Sequence, residues 1–224
     1  MEKIRKGDIV GRLSYGKDIL FLVDRIIRAA DNQEYAILKG ITFRIEADSD
    51  LDDLEKIEDY LVKRNMRSLD DRLDERVQNC VKCNTKPFSV LERGLLKREQ
   101  TQEIVYTGKI LHLDGDKKYS NKSIRYYQDL GLNAIVRNIP ENMQSKMVYN
   151  LLMKYKPDIL VITGHDGMIK SNSGYHDIYN YRNSKHFIDT VKEARKWDEE
   201  NESKLVIFAG ACQSYFEALM RARC

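Results

Sequence analysis

The chain has 224 residues, 42% hydrophobic and 33% charged, which is enough for one large domain or two small ones with a real core. Its formal net charge of +3 does not argue for nucleic acid, which needs basic residues clustered on one face. No apolar run approaches the ~20 residues of a membrane span and none follows Met1 as in a cleaved signal; with only four cysteines, this predicts a soluble, unexported protein of a reducing compartment, with no membrane partner.

Residues 4–46 alternate and turn like a small sheet. The strand-like stretches are Gly7–Leu13, Asp18–Ile27 and Glu34–Gly40, joined by the turn-forming "SYGKD" and "AADNQ". Three or four short strands with tight connections predict a small SH3-like β-barrel over 1–48, read as a packing or docking module. A run of eight acids follows between Glu46 and Asp59, with Leu51, Leu54, Ile57 and Leu61 at helical spacing. This predicts an amphipathic helix with an acidic solvent face, within a helical and linker region over 49–102. Cys80 and Cys83 have the spacing of half a zinc site, but no second pair stands where a four-ligand site needs one. No metal and no cofactor are therefore expected. Residues 79–100, with Pro87 and Gly94, read as a linker.

From residue 103 onward the pattern becomes regular. Strands are predicted over Lys109–Asp116, Asn133–Asn138, Pro157–Gly167 and Lys204–Cys212. Helices are predicted over Ser120–Leu130, closed by Gly131, from Pro140 to about Tyr155, and from a cap at Asn183 or Ser184 to Glu199. Nearly apolar strands alternating with helices predict an α/β fold, a parallel sheet covered by helices on both faces.

Ligands bind beyond the carboxyl ends of such strands. Three reactive positions fall there: Asp114 with Asp116, His165, and Cys212. If the third and fourth strands are neighbours, His165 and Cys212 meet, although far apart in sequence. Cysteine as inert core filler is the competing reading. It fits poorly, because Cys212 lies just past the apolar run, after Gly210 and Ala211 and before the helix-like "QSYFEALMRA". A thiol at a helix N-terminus favours thiolate. His165 likewise stands in an exposing turn, whereas His112 lies within a strand and His176 and His186 read as surface or supporting residues. The pair predicts peptide hydrolysis: Cys212 as nucleophile and His165 as acid and base. The backbone N–H groups of the His165 turn, at Asp166 and Gly167, and of Cys212 are the expected oxyanion donors.

An apolar strand ending in a His-Gly-type turn, followed by one ending in Ala-Cys, resembles the caspase-like cysteine peptidases. More closely, "GDIVGRLSYGKDILF", "KGITFRIEADS", "ILHLDGD", "DILVITGHDG", "NYRNSKHFIDTVKEAR" and "IFAGACQS" resemble the sporulation-specific peptidases of the YabG family. The resemblance implies a caspase-like sheet over 103–224, continuing beyond Cys224 in the full protein. It implies a cysteine endopeptidase acting on spore coat and cortex-related proteins, located in the mother-cell cytoplasm and the spore coat. If it cleaves after Arg or Lys, Asp114 and Asp116 are the candidate substrate-binding acids, with turn formation in "DGD" as the competing role. A non-catalytic spore-assembly scaffold, docking through the barrel and the acidic helix, is the alternative function. The oligomeric state is not readable.

Overall fold

A computed structural model describes residues 3–28, 32–84, 107–169 and 175–224, without the side chains of 81–84. Two sheets organise the described residues.

The first is antiparallel: β1 (Ile9–Arg12), β2 (Leu20–Arg28), β3 (Glu34–Gly40), β4 (Glu46–Asp50) and β5 (Leu54–Lys56), in the order β4-β3-β2-β1-β5. Its core is Val10, Phe21, Val23, Ala36, Leu38, Ala47 and Leu54. The strands expected near its start are present, and two more join them. The helix expected around Leu51–Leu61 is replaced by β4, one 3-10 turn at Leu51–Asp53, and β5. The reason is periodicity. Ala47 and Ser49 are buried, Asp50 is exposed and Glu46 and Asp48 lie between these extremes, so the acidic run alternates with the period of a strand. The three-residue interval from Leu51 to Leu54 fits a 3-10 turn as well as a helix. The helix that does follow, α1 (Asp59–Asn84), lies across the next helix through the ion pairs Lys122–Asp70 and Arg125–Asp74. Cys80 is exposed on it; most of the expected linker lies outside the described residues.

The second sheet is wholly parallel. It contains β6 (Ile110–Asp114), β7 (Ala134–Asn138), β8 (Ile159–Thr163) and β9 (Val206–Gly210), in the order β7-β6-β8-β9. The connecting helices are α2 (Lys117–Asp129), α3 (Glu141–Tyr155) and α4 (Ser184–Glu200); α5 (Phe216–Arg221) follows β9. One sheet face, carrying Leu111, Leu113, Leu160, Ile162 and Ile207, packs with Val148 and Leu152 of α3 and Phe187, Val191, Ala194 and Trp197 of α4. On the opposite face α2 brings Tyr127 against His112, with ring centroids 5.8 Å apart. Coverage of that face is less complete than expected, because Val206 and Phe208 of β9 are 48% and 59% exposed.

The two sheets meet at the carboxyl end of β8. Ile45, just before β4, forms a parallel bridge with Asp166. The Glu46 amide donates to the Asp166 carbonyl at 2.9 Å, and the Asp166 amide donates to the Arg44 carbonyl at 3.3 Å. A side chain at Gly167 would overlap the Glu46 carbonyl, so glycine permits this approach. Arg182 closes the contact through an ion pair with Asp48 at 2.5 Å.

Phe187 is fully buried at the centre of the larger core. Replacing it with alanine is expected to cost about 3–5 kcal/mol, read as a fall in the urea midpoint at unchanged slope.

Candidate functional site

The site is built from strand exits. Parallel pairing sets Asp114 beside Thr163 and Thr163 beside Gly210, so β6, β8 and β9 end level with one another. His165 and Cys212 each lie two residues beyond a member of the Thr163–Gly210 pair. His165 is 4% exposed, and Cys212 is exposed in the turn after β9. Because α5 begins only at Phe216, Cys212 does not occupy the helix N-terminus expected from the sequence.

Asp166 connects the two exits. It is fully buried and would be costly without partners. Its Oδ1 accepts from the amides of Gly167 and Asn183, each at 2.8 Å. Its Oδ2 accepts the Ser184 hydroxyl at 2.5 Å, and the Ser184 oxygen accepts the Tyr215 amide at 2.8 Å. The Ser214 side chain also hydrogen-bonds Asp166 and accepts the Ala211 amide at 2.9 Å. The residue after His165 is thereby wired to residues on both sides of Cys212. Burial pushes the Asp166 carboxyl up, against the lowering pull of these hydrogen bonds. The amides of Asp166 and Gly167 are both engaged within the protein, with Arg44 and with the Asp166 carboxylate.

The His165 backbone is fixed at both ends. Its amide donates to Glu141 Oε1 and its carbonyl accepts from Asn183 Nδ2, both at 2.8 Å. Its Nδ1 faces Asp116 Oδ2 at 3.9 Å, and Tyr119 stands edge-on, with centroids 5.9 Å apart. Burial pulls the imidazole below its ordinary value; Asp116 and Glu141 oppose this, while Lys39 and Arg44 add to it. Tyr119 also feels Cys212. Burial is the main cause that pushes its phenol up, and Asp116 and Cys212 contribute.

The two aspartates of "DGD" have separate duties. Asp114 is fully buried. Arg44 Nη2 pairs with its Oδ2 at 2.6 Å, and the Thr163 hydroxyl donates to the same oxygen at 2.9 Å. Asp116 caps α2, accepting from the amides of Lys118 and Tyr119 at 2.7 and 3.1 Å. His112 is packed inside, as expected. Its Nε2 meets the Thr163 hydroxyl at 2.7 Å and its Nδ1 the Tyr127 hydroxyl at 3.2 Å. His176 is exposed and His186 half-buried.

Sequence reasoning missed the roles of Arg44, Glu141 and Tyr119, which come from other elements; Arg44 stands inside "KGITFRIEADS", but nothing local marks its partner. The sequence does hold one clue to Glu141: an acid one residue after Pro140 suits the first turn of a helix. Among the described residues, no group of three or more His, Cys, Asp or Glu is placed to hold a metal ion.

Comparison with known proteins gives the class as a peptidase. Residues 5–224 match the family described as YabG peptidase U57, and the chain belongs to that family. It is 40% identical over 229 residues to the sporulation-specific protease YabG of Bacillus subtilis (strain 168), a match covering 96% of this chain and 75% of that protein. No solved structure matches the chain.

Burial is the main cause that holds His112 far below its ordinary value, at about 4, with Arg44 also lowering it and Asp114 opposing. The native state therefore keeps this imidazole neutral where an unfolded chain takes up a proton. Its contribution to stability is present above about pH 6.5 and is lost as pH falls toward about 4. The expected loss is on the order of 3 kcal/mol, read from urea unfolding between pH 7 and 4. It should be smaller in His112→Gln.

Proposed function

We propose that this peptidase is a cysteine endopeptidase of sporulation, with Cys212 as nucleophile and His165 as acid and base. The observation that supports the reading most is the level ending of β8 and β9, with the imidazole and the thiol each two residues past a paired position. The Cys212 thiol passes its proton to His165 as its sulfur forms a bond to the scissile carbonyl carbon. The C–N bond breaks as His165 gives a proton to the departing amine, leaving a thioester. His165 then takes a proton from water as the water oxygen attacks the thioester carbon. The C–S bond breaks, the acid is released, and His165 returns its proton to the sulfur, restoring thiol and imidazole.

The oxyanion needs N–H donors aimed at it. With the amides of Asp166 and Gly167 hydrogen-bonded within the protein, Cys212's own amide takes this role. For cleavage after Arg or Lys, Asp114 is committed to Arg44. Asp116, with a side chain 29% exposed, is the acid that remains to meet a basic side chain.

A caspase-like sheet carrying the chemistry and an SH3-like barrel beside it describe the architecture. The antiparallel order β4-β3-β2-β1-β5, with a 3-10 turn between β4 and β5, supports the barrel. By analogy with the Bacillus subtilis protein's sporulation role, the substrates are proteins of the spore coat and cortex. The places of action are the mother-cell cytoplasm and the coat.

The test is incubation of the wild type and Cys212→Ala with spore coat extract, followed by sequencing of new N-termini. Wild type should generate defined termini and the variant none. Undiminished cleavage by Cys212→Ala, in a variant whose thermal unfolding matches wild type, overturns the cysteine mechanism. His165→Gln should lower kcat by at least roughly a hundredfold.

A further inference from the structure

Glu141 is the second residue that the strand exits are shaped around. It opens α3 directly after Pro140, and its carboxylate lies against the residues that follow β6 and β8. Gly115 follows β6 and Gly164 follows β8. A side chain at either glycine would overlap the Glu141 carboxylate. Neither glycine has a positive φ, so backbone strain does not require glycine there; the space is what the carboxylate needs. From this seat Glu141 Oε1 accepts the His165 amide at 2.8 Å.

We infer that Glu141 is a positioning residue for catalysis: its carboxylate, seated over Gly115 and Gly164, clamps the His165 turn and keeps a negative charge beside the imidazole. The inference rests on the reading of His165 as acid and base. The clamp acts through geometry and through charge. The amide hydrogen bond sets where the turn carries the imidazole, and errors of about 1 Å in such placement cost up to ~100-fold in rate. The charge offsets the burial that pulls the imidazole down. Asp116 from the start of α2 shares that duty, while Lys39 of β3 and Arg44 before β4 oppose it. Tyr119 of α2 presents its ring to the imidazole. Glu46 of β4 feels Glu141 as a like charge, although burial is the larger reason its carboxyl is raised.

Two variants separate the roles. Glu141→Gln keeps the shape and an oxygen for the His165 amide but removes the charge. Gly164→Ala keeps the glutamate and displaces its carboxylate. The His165 imidazole is titrated by NMR in full-length protein carrying Cys212→Ala, with and without Glu141→Gln, and this readout needs no turnover. Its pKa should fall in Glu141→Gln. In the Cys212 background of the wild type, the alkaline limb of kcat/KM should move to lower pH in the same variant, because a lower pKa deprotonates the acid sooner. Gly164→Ala should lower kcat roughly ten- to a hundredfold with KM little changed. An unchanged His165 titration in Glu141→Gln, or a folded Gly164→Ala with kcat within about twofold of wild type, overturns the inference. If Cys212→Ala itself still cleaves, the cysteine mechanism fails instead, and the titration still judges whether Glu141 governs His165.

Discussion

The buried Asp166 carboxylate is the contact on which the site depends. Alone it would be expensive, since a desolvated charge must be matched by donors. The amides of Gly167 and Asn183 and the hydroxyl of Ser184 supply them, with Ser214 added from the Cys212 turn. The donors come from three separate stretches of chain. Satisfying one charge therefore fixes the exit of β8, the start of α4 and the exit of β9 relative to one another. The Asp166 backbone extends the same junction to the small sheet, through the Arg44 carbonyl and the Glu46 amide.

The small sheet is for this reason part of the site's frame. Arg44 contributes its carbonyl to Asp166 and its guanidinium to Asp114, and it lies 4.1 Å from the centroid of Tyr119. Three features of the site, the Asp114 carboxylate, the Tyr119 ring of α2 and the His165 turn, thus rest on one residue of the antiparallel unit. Arg182 adds a tie from the other side, to Asp48 of β4. Two carboxylates at this junction are paired with cations: Asp114 with Arg44, and Asp48 with Arg182. His112, lacking a cation's environment and buried beside Asp114 and Arg44, remains neutral. A polar network of this kind specifies a single arrangement as long as each member is satisfied.

Glycine serves two different ends here. Gly167 lets the backbone of β4 come close, whereas Gly115 and Gly164 leave room for a side chain, that of Glu141. In the sequence all three look like turn residues. Only the neighbours they admit tell them apart.

The sequence by itself determined the alternation of apolar strands and helices from residue 103 onward, the positions of His165 and Cys212 at strand ends, and the first three strands of the small sheet. These are legible because period and punctuation are local properties of the chain. The acidic run after Glu46 was misread because a short segment satisfies both strand and helix spacing; pairing with β3 and β1 selected the strand. The tertiary structure alone decided the order β7-β6-β8-β9, which makes the exits of His165 and Cys212 neighbours. It also decided that Asp114 answers Arg44, that Asp166 spans both exits, and that Glu141 holds the His165 amide. Those pairings join residues distant along the chain, and what selects them is the cost of burying a charge or an amide without a partner, which no local pattern records.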